Sequence, residues 1–294
     1  MIDCTQINSF IIIDDYPPGV LTLPNLVTAG GLSIDNAASL TVLSLPQLSG
    51  VIDQNGSVGE INLHGQSLTT LNLPALIEVG GGGITIDCPS LNNWTGTDSL
   101  QSTYELQILR HNINSLSFAN LNNVTWPIFI NMSSSNDFWH PDTLYLNGKA
   151  TVDALIIGSN YTNFTSDMEN IKSMVVRGCE DITINSRIMG SLEISLNPHL
   201  VNVNAPNLLT LGPYVNFATD HSLPGENPAV GDSLLIADNT FDSVLFDQML
   251  FPNLATIQGS LQTMGNTLLP LLTNSFPLLQ NVTKDILISG NSEV

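Results

Sequence analysis

The sequence predicts an all-β chain, a solenoid of stacked parallel coils, on three observations. A Leu-Pro-Xaa-Leu or Phe-Pro-Xaa-Leu step recurs, a glycine and a short alternating apolar run follow it, and the run closes near an asparagine. A phrase that returns with a period of roughly 25 residues marks coils that pack only against their neighbours.

The proline step stands at Leu23-Pro24-Asn25-Leu26, Leu45-Pro46-Gln47-Leu48 and Leu73-Pro74-Ala75-Leu76. It returns at Ala205-Pro206-Asn207-Leu208, Phe251-Pro252-Asn253-Leu254 and Phe276-Pro277-Leu278-Leu279. The gaps are 22, 28, 132, 46 and 25, so 46 reads as two periods. The apolar runs are Leu192-Glu193-Ile194 to Asn197, Leu234-Leu235-Ile236 to Asn239, Leu261 to Asn266 and Ile286-Leu287-Ile288 to Asn291. In each, Asn falls five residues after the first apolar residue.

Alternation of Leu, Ile, Val and Ser/Thr over three to five residues is a strand pattern, and the surrounding Gly, Asn and Pro are turn residues. Prolines interrupt most windows long enough for a helix, so few helices are expected. One strand cannot bury its apolar face alone. Coils stacked about 4.8 Å apart merge their Leu and Ile positions into one core, and at roughly 25 residues each the chain makes about a dozen coils. The expected arrangement is one continuous solenoid over 1–294, with regular coils at 4–92 and 190–291 and irregular coils with longer corners at 93–189. Gly30-Gly31, Gly80-Gly81-Gly82-Gly83 and Gly259 are assigned to tight turns where no side chain fits. The closing asparagines are assigned to a ladder at one corner, capping backbone groups with their amides.

The chain has 294 residues, 43% of them apolar and only 11% charged; 32 Asn and 52 Ser plus Thr supply the polarity. Twenty-six acidic against 6 basic residues give a net charge of −20, which argues against nucleic acid or anionic lipid as a partner. Seven Asn-Xaa-Ser/Thr sequons stand at Asn55, Asn93, Asn123, Asn131, Asn160, Asn163 and Asn281. Chance supplies about six in this composition. Placement says more, because Asn123, Asn131, Asn160 and Asn163 lie in the irregular middle, where exposed corners admit a glycan. Cys4, Cys88 and Cys179 are odd in number and widely spaced, with no CxxC, so at least one is unpaired; Cys88 and Cys179 read as buried packing.

Met1-Ile2-Asp3-Cys4 runs almost at once into the strand-like Phe10-Ile11-Ile12-Ile13, so no signal peptide is read, and no apolar stretch is long enough to span a bilayer. Both ends lack polar caps, which marks the chain as a piece of a longer protein. Exposed strand edges are expected at Ile7 to Ile13 and Ile286 to Ile288.

The phrase from Phe251-Pro252-Asn253-Leu254 through Ile257-Gln258-Gly259-Ser260-Leu261 to Asn266 resembles the repeat of receptor L domains, right-handed β-helices of the leucine-rich-repeat type. The nearer resemblance is to fungal GPI-anchored cell-wall organisation proteins, the extracellular-mutant and sporulation-specific group. The likeness covers 4–92 and 190–291 best. It implies a secreted or cell-surface glycoprotein, non-enzymatic, that maintains wall organisation and integrity through cell-wall glycans or other surface proteins. It also implies an N-terminal cap, a Ser/Thr-rich stalk and a GPI anchor in a longer parent, with Cys4 resembling the second cap cysteine.

Two other readings compete: a ligand-binding ectodomain of receptor L type, and a polysaccharide-active parallel β-helix enzyme. The enzyme needs convergent carboxylates. Here the acids are scattered, and Asp14 and Asp15 are adjacent, so as strand residues they point to opposite faces. His64, His111, His140, His199 and His221 form no ligand motif and read as solvated corners; Arg177 reads as a surface partner of Glu180-Asp181. The four-glycine run lacks the Lys-Ser/Thr of a phosphate loop. No catalytic, metal or cofactor residue is assigned. A flat aromatic face around Trp94, Trp126 or Trp139 would point to carbohydrate stacking.

Overall fold

The structure, a computed structural model, describes residues 4–14, 16–35, 39–52, 59–126, 128–130, 143–152, 155–212, 232–240, 248–267 and 275–292. Among these residues every regular element is a β-strand, and the registered pairings are parallel. The chain forms two compact units, Met1–Thr151 and Val152–Val294.

In the first unit each coil has three sides. On side 1, Ile7, Ala29, Val51, Val79, Thr103 and Val124 stack in register. On side 2, Ile11, Leu32, Ile61, Ile84, Leu106 and Ile128 stack, and two residues further along Ile13, Ile34, Leu63, Ile86, Ile108 and Ile130 do the same. Side 3 is a separate four-stranded sheet that stacks Leu21, Leu43, Leu71 and Trp94. From Leu32 to Ile128 the inward side 2 residues are no more than 1% exposed. Alternation therefore sends every second residue into a shared core; each Leu or Ile buried there contributes about 1.5 to 3 kcal/mol.

The proline phrase is the corner between side 3 and side 1. The N–H groups of Leu26, Leu48 and Leu76 donate to the carbonyls of Leu23, Leu45 and Leu73 at 3.1 to 3.4 Å. In the second unit Leu208, Leu254 and Leu279 donate likewise to Ala205, Phe251 and Phe276. Proline takes the second position of each turn, where its fixed φ is an advantage and its missing N–H costs nothing. Both apolar ends of the phrase point inward; Leu45, Leu48, Leu73, Leu76, Phe251 and Leu254 are all buried.

The second unit stacks Ile171, Met189, Leu211, Ile257 and Val282 on one side. Met174, Leu192, Leu234, Leu261 and Ile286 stack on the next. A third side pairs Ile182 with Val203 and Val203 with Met249. Among the described residues six levels in the first unit and five in the second come close to the expected dozen. Coil length is even where the phrase fades, since the step from Ile84 to Leu106 equals the step from Leu106 to Ile128. The gap of 46 between Pro206 and Pro252 corrects the reading of two periods. It is one long coil, because Val203 pairs directly with Met249 and Leu211 with Ile257. The strands Thr210–Leu211 and Asp232–Ala237 on either side keep their register with the neighbouring coils.

The asparagine ladder forms in the second unit. Asn239 Oδ1 accepts from the N–H of Asn197 at 3.1 Å and from its Nδ2 at 2.7 Å. Asn266 does the same for Asn239 at 3.1 and 2.9 Å, and Asn291 for Asn266 at 3.1 and 2.8 Å. The second amide hydrogens go to strand carbonyls, Asn239 to Ile194 at 2.9 Å and Asn266 to Ile236 at 2.8 Å. The residue before each asparagine is left-handed: Leu196 (φ 55), Asp238 (φ 53), Gly265 (φ 65) and Gly290 (φ 63). That conformation turns the chain tightly enough to aim the amide inward, and glycine adopts it without steric cost. Cys179, five residues after Met174, holds the ladder position at its level, and its N–H donates to Asn197 Oδ1 at 2.7 Å.

Ile12, Ile286 and Ile288 are 60 to 69% exposed.

Candidate functional site: an aromatic and amide strip on the first unit

The outward residues of side 2 in the first unit form one row: Ser33, Asn62, Thr85, Gln107 and Phe129 are cross-coil partners. All five are half-buried. Along one margin stand Glu60 and Glu105; along the other, Asp35, His64 and Asp87. Asn62 Oδ1 is buried without a hydrogen-bond partner.

The second margin is tied together across coils. Arg110 grips Asp87 with both Nε and Nη2 at 2.6 Å, and His64 Nδ1 lies 3.6 Å from the same carboxylate. The bidentate geometry satisfies both carboxylate oxygens, so the pair is a clamp between coils rather than a free charge. On the other margin Gln107 Nε2 donates to Glu105 Oε1 at 2.7 Å, and the Thr103 hydroxyl donates to the Glu105 carbonyl at 2.9 Å. Gly83 (φ 71) is needed beside them, because a Cβ there would meet the Glu105 carbonyl at 2.7 Å.

Where side 1 turns into side 2, Tyr104 and Trp126 of adjacent coils place their ring centroids 5.7 Å apart at 41°, and both are half-buried. The Trp126 backbone N–H donates to the Tyr104 carbonyl at 2.8 Å, which fixes the two corners against each other. Trp126 stands three residues before Phe129 in its coil, as Tyr104 stands three before Gln107 in the neighbouring one.

The other expected site residues separate. Asn93, Asn123, Asn163 and Asn281 are exposed, Asn93 on side 3 and Asn123 and Asn281 each in register on its own unit's sheet. Asn160 lies in strand Leu155–Ile184. Asn55 and Asn131 lie outside the described residues, as do Asp15, Trp139, His140 and His221. Trp94 is buried in the core with its indole N–H unpartnered. His111 corrects the reading of solvated histidines: it is fully buried, and its Nδ1 accepts from the Ile113 N–H at 3.0 Å, closing a corner from inside. Arg177 is also corrected, since it pairs with Glu193 of the next coil at 2.8 Å. Cys4, Cys88 and Cys179 form no disulfide, and burial pushes the Cys88 thiol up to about 12 and raises that of Cys179 as well. The two buried thiols are inert packing groups. Among the described residues no three His, Cys, Asp or Glu side chains gather to hold a metal.

Sequence reasoning missed the His64–Asp87–Arg110 and Tyr104–Trp126 contacts. Their members stand on successive coils and become neighbours only through coil length. A signal existed, because Asp87 to Arg110 and Tyr104 to Trp126 are each separated by close to one period.

The chain is a parallel β-solenoid. No family model matches it, and neither does any curated protein or solved structure.

Proposed function

We propose that the protein is a non-enzymatic cell-surface or cell-wall glycoprotein that serves wall organisation and integrity, with anchoring by GPI in a longer parent. The observation that supports this best is the placement of the sequons. The four with described side chains are all exposed, and none of the seven falls within a first-unit side 2 strand such as Glu60–His64, Gly83–Asp87 or Leu106–Leu109. Glycans there would clothe two sides of the coil and leave the third bare for contact. The Leu, Pro, Gly and Asn residues are meanwhile taken up in building coils.

The test has two arms. Protein from a secretory eukaryotic host should lose mass on glycosidase treatment, with Asn93, Asn123 and Asn281 converted to Asp. Deleting the gene in its native host should sensitise cells to wall-perturbing dyes. An unglycosylated product, or cells with unchanged sensitivity, would overturn the proposal.

A further inference from the structure

We propose that the first unit binds a neutral polysaccharide segment at the corner where side 1 meets side 2, on Tyr104, Glu105, Gln107, Trp126 and Phe129. The binding follows from the local chemistry; only the natural source of the glycan rests on the wall reading above.

The aromatic groups carry the first part of the argument. Phe118, Tyr161, Phe164 and Phe251 are fully buried, and Trp94 is buried too. Tyr104, Trp126 and Phe129 differ from them in reaching the surface together, within two adjacent coils. Phe129 stands in register with Gln107, and the Tyr104–Trp126 pair stands at the corner just before them. The C–H face of a sugar ring is apolar with slightly positive hydrogens, and it packs on the negative face of such rings.

Polar groups beside the rings carry the second part. Glu105 uses Oε1 to hold Gln107, which orients the Gln107 amide and leaves its carbonyl as an acceptor for sugar hydroxyls. Thr85, next in the row, adds a hydroxyl that both donates and accepts. Rows repeat at about 4.8 Å, a step close to the length of one sugar ring, so a chain laid along the row meets a new side chain at each unit.

Charge then selects the glycan. Among the described residues of the row's margins the cation is Arg110, which is held by Asp87, while Glu60 and Glu105 stand along the row. An acidic polysaccharide would be repelled by them, whereas a neutral one is accepted. The competing occupant is the protein's own glycan on Asn123, three residues before Trp126 on side 1.

The test uses the full chain in the Asn123→Gln background, by affinity electrophoresis and calorimetry with soluble β-1,3-glucan, hydroxyethylcellulose and mannan, and with polygalacturonate as the acidic control. At least one neutral polymer should bind and polygalacturonate should not. Trp126→Ala and Tyr104→Ala should each weaken binding roughly tenfold, and Gln107→Ala several-fold. Because Trp126→Ala could also disturb folding, oxidation of Trp126 by N-bromosuccinimide, located by peptide mapping, gives a second readout with the side chain in place. The bound polymer should protect Trp126, and thermal unfolding of Gln107→Ala should be unchanged. Failure of every neutral polymer to bind or protect Trp126, equal binding by Trp126→Ala, or equal binding of polygalacturonate overturns the inference. A protein that is glycosylated and wall-associated yet binds none of the polymers overturns this inference alone.

Discussion

The corner that closes side 2 in the first unit and the corresponding corner in the second solve one problem in opposite ways. Each must bind one coil to the next where the chain leaves its strand. In the second unit the link is internal: Asn197, Asn239, Asn266 and Asn291 pass amide hydrogen bonds from coil to coil out of water. In the first the side-chain link between coils lies nearer the surface, a half-buried ion pair in which Asp87 joins Arg110 and His64. The position that holds Asn in the second unit holds exposed Gln66 after Ile61 and buried His111 after Leu106. Buried hydrogen bonds cannot be exchanged for water, whereas surface ion pairs can. The second unit should therefore depend on its corner far more than the first.

The sharpest test is Asn239→Ala. It strands the Asn197 backbone N–H, removes one acceptor of the Asn197 amide, takes the amide donor from the Ile194 carbonyl and leaves Asn266 Oδ1 with only the backbone N–H of residue 239, at a cost of about 3 to 5 kcal/mol. Gln66→Ala at the matching exposed position should stay within about 0.5 kcal/mol. Urea denaturation of both variants decides the matter, and equal losses would break the comparison.

Next comes the left-handed residue. Gly265→Ala strains the backbone and drives a Cβ into Asp238 Oδ1, for a loss of about 1 to 3 kcal/mol. Leu196→Gly relieves a left-handed, solvent-exposed leucine and should gain about 0.5 kcal/mol despite glycine's entropy. Opposite signs in thermal melts are the expected result.

The external clamp should matter least among the coil links. Arg110→Met is expected to cost no more than about 1 kcal/mol, with the effect shrinking in added salt. A loss comparable to that of Asn239→Ala would show that the first unit relies on its corner as strongly as the second.

The smallest effect concerns the thiols. In the folded protein the half-buried Cys4 should be alkylated, while the buried Cys88 and Cys179 react only after unfolding. Burial raises the folded pKa of Cys88 to about 12, so the folded chain retains a proton that the unfolded chain releases above about pH 8.5. Its contribution is fully present below that pH and declines as pH rises toward 12. Iodoacetamide labelling followed by mass spectrometry checks the order of reactivity.

Much of this architecture is legible in the residues. The proline step reads as a turn because proline presets φ, and the closing asparagine as a ladder because its amide has both donors and an acceptor. The stretch 93–130 reads as irregular for an equally physical reason. Its corners use Gly96-Thr97-Asp98-Ser99 and Phe118-Ala119-Asn120-Leu121, closed by the same hydrogen bond from the fourth residue to the first, but without Leu-Pro at the expected place. The turn survives the loss of the motif because many residues suit its dihedral angles.

That the chain makes parallel coils around an aliphatic core follows from its residues alone, since alternation, turn residues and an amide at a set offset are local properties that each coil carries. Which side chains meet across coils is settled only on folding: Asp87 with Arg110, Arg177 with Glu193, Tyr104 with Trp126, and His111 inside rather than outside. Those neighbours depend on the length of each coil, which more than doubles between the step from Met174 to Leu192 and the next, from Leu192 to Leu234. A change of corner length alters the sequence offset at which lateral partners meet, while the strand pattern that predicts the coil stays the same.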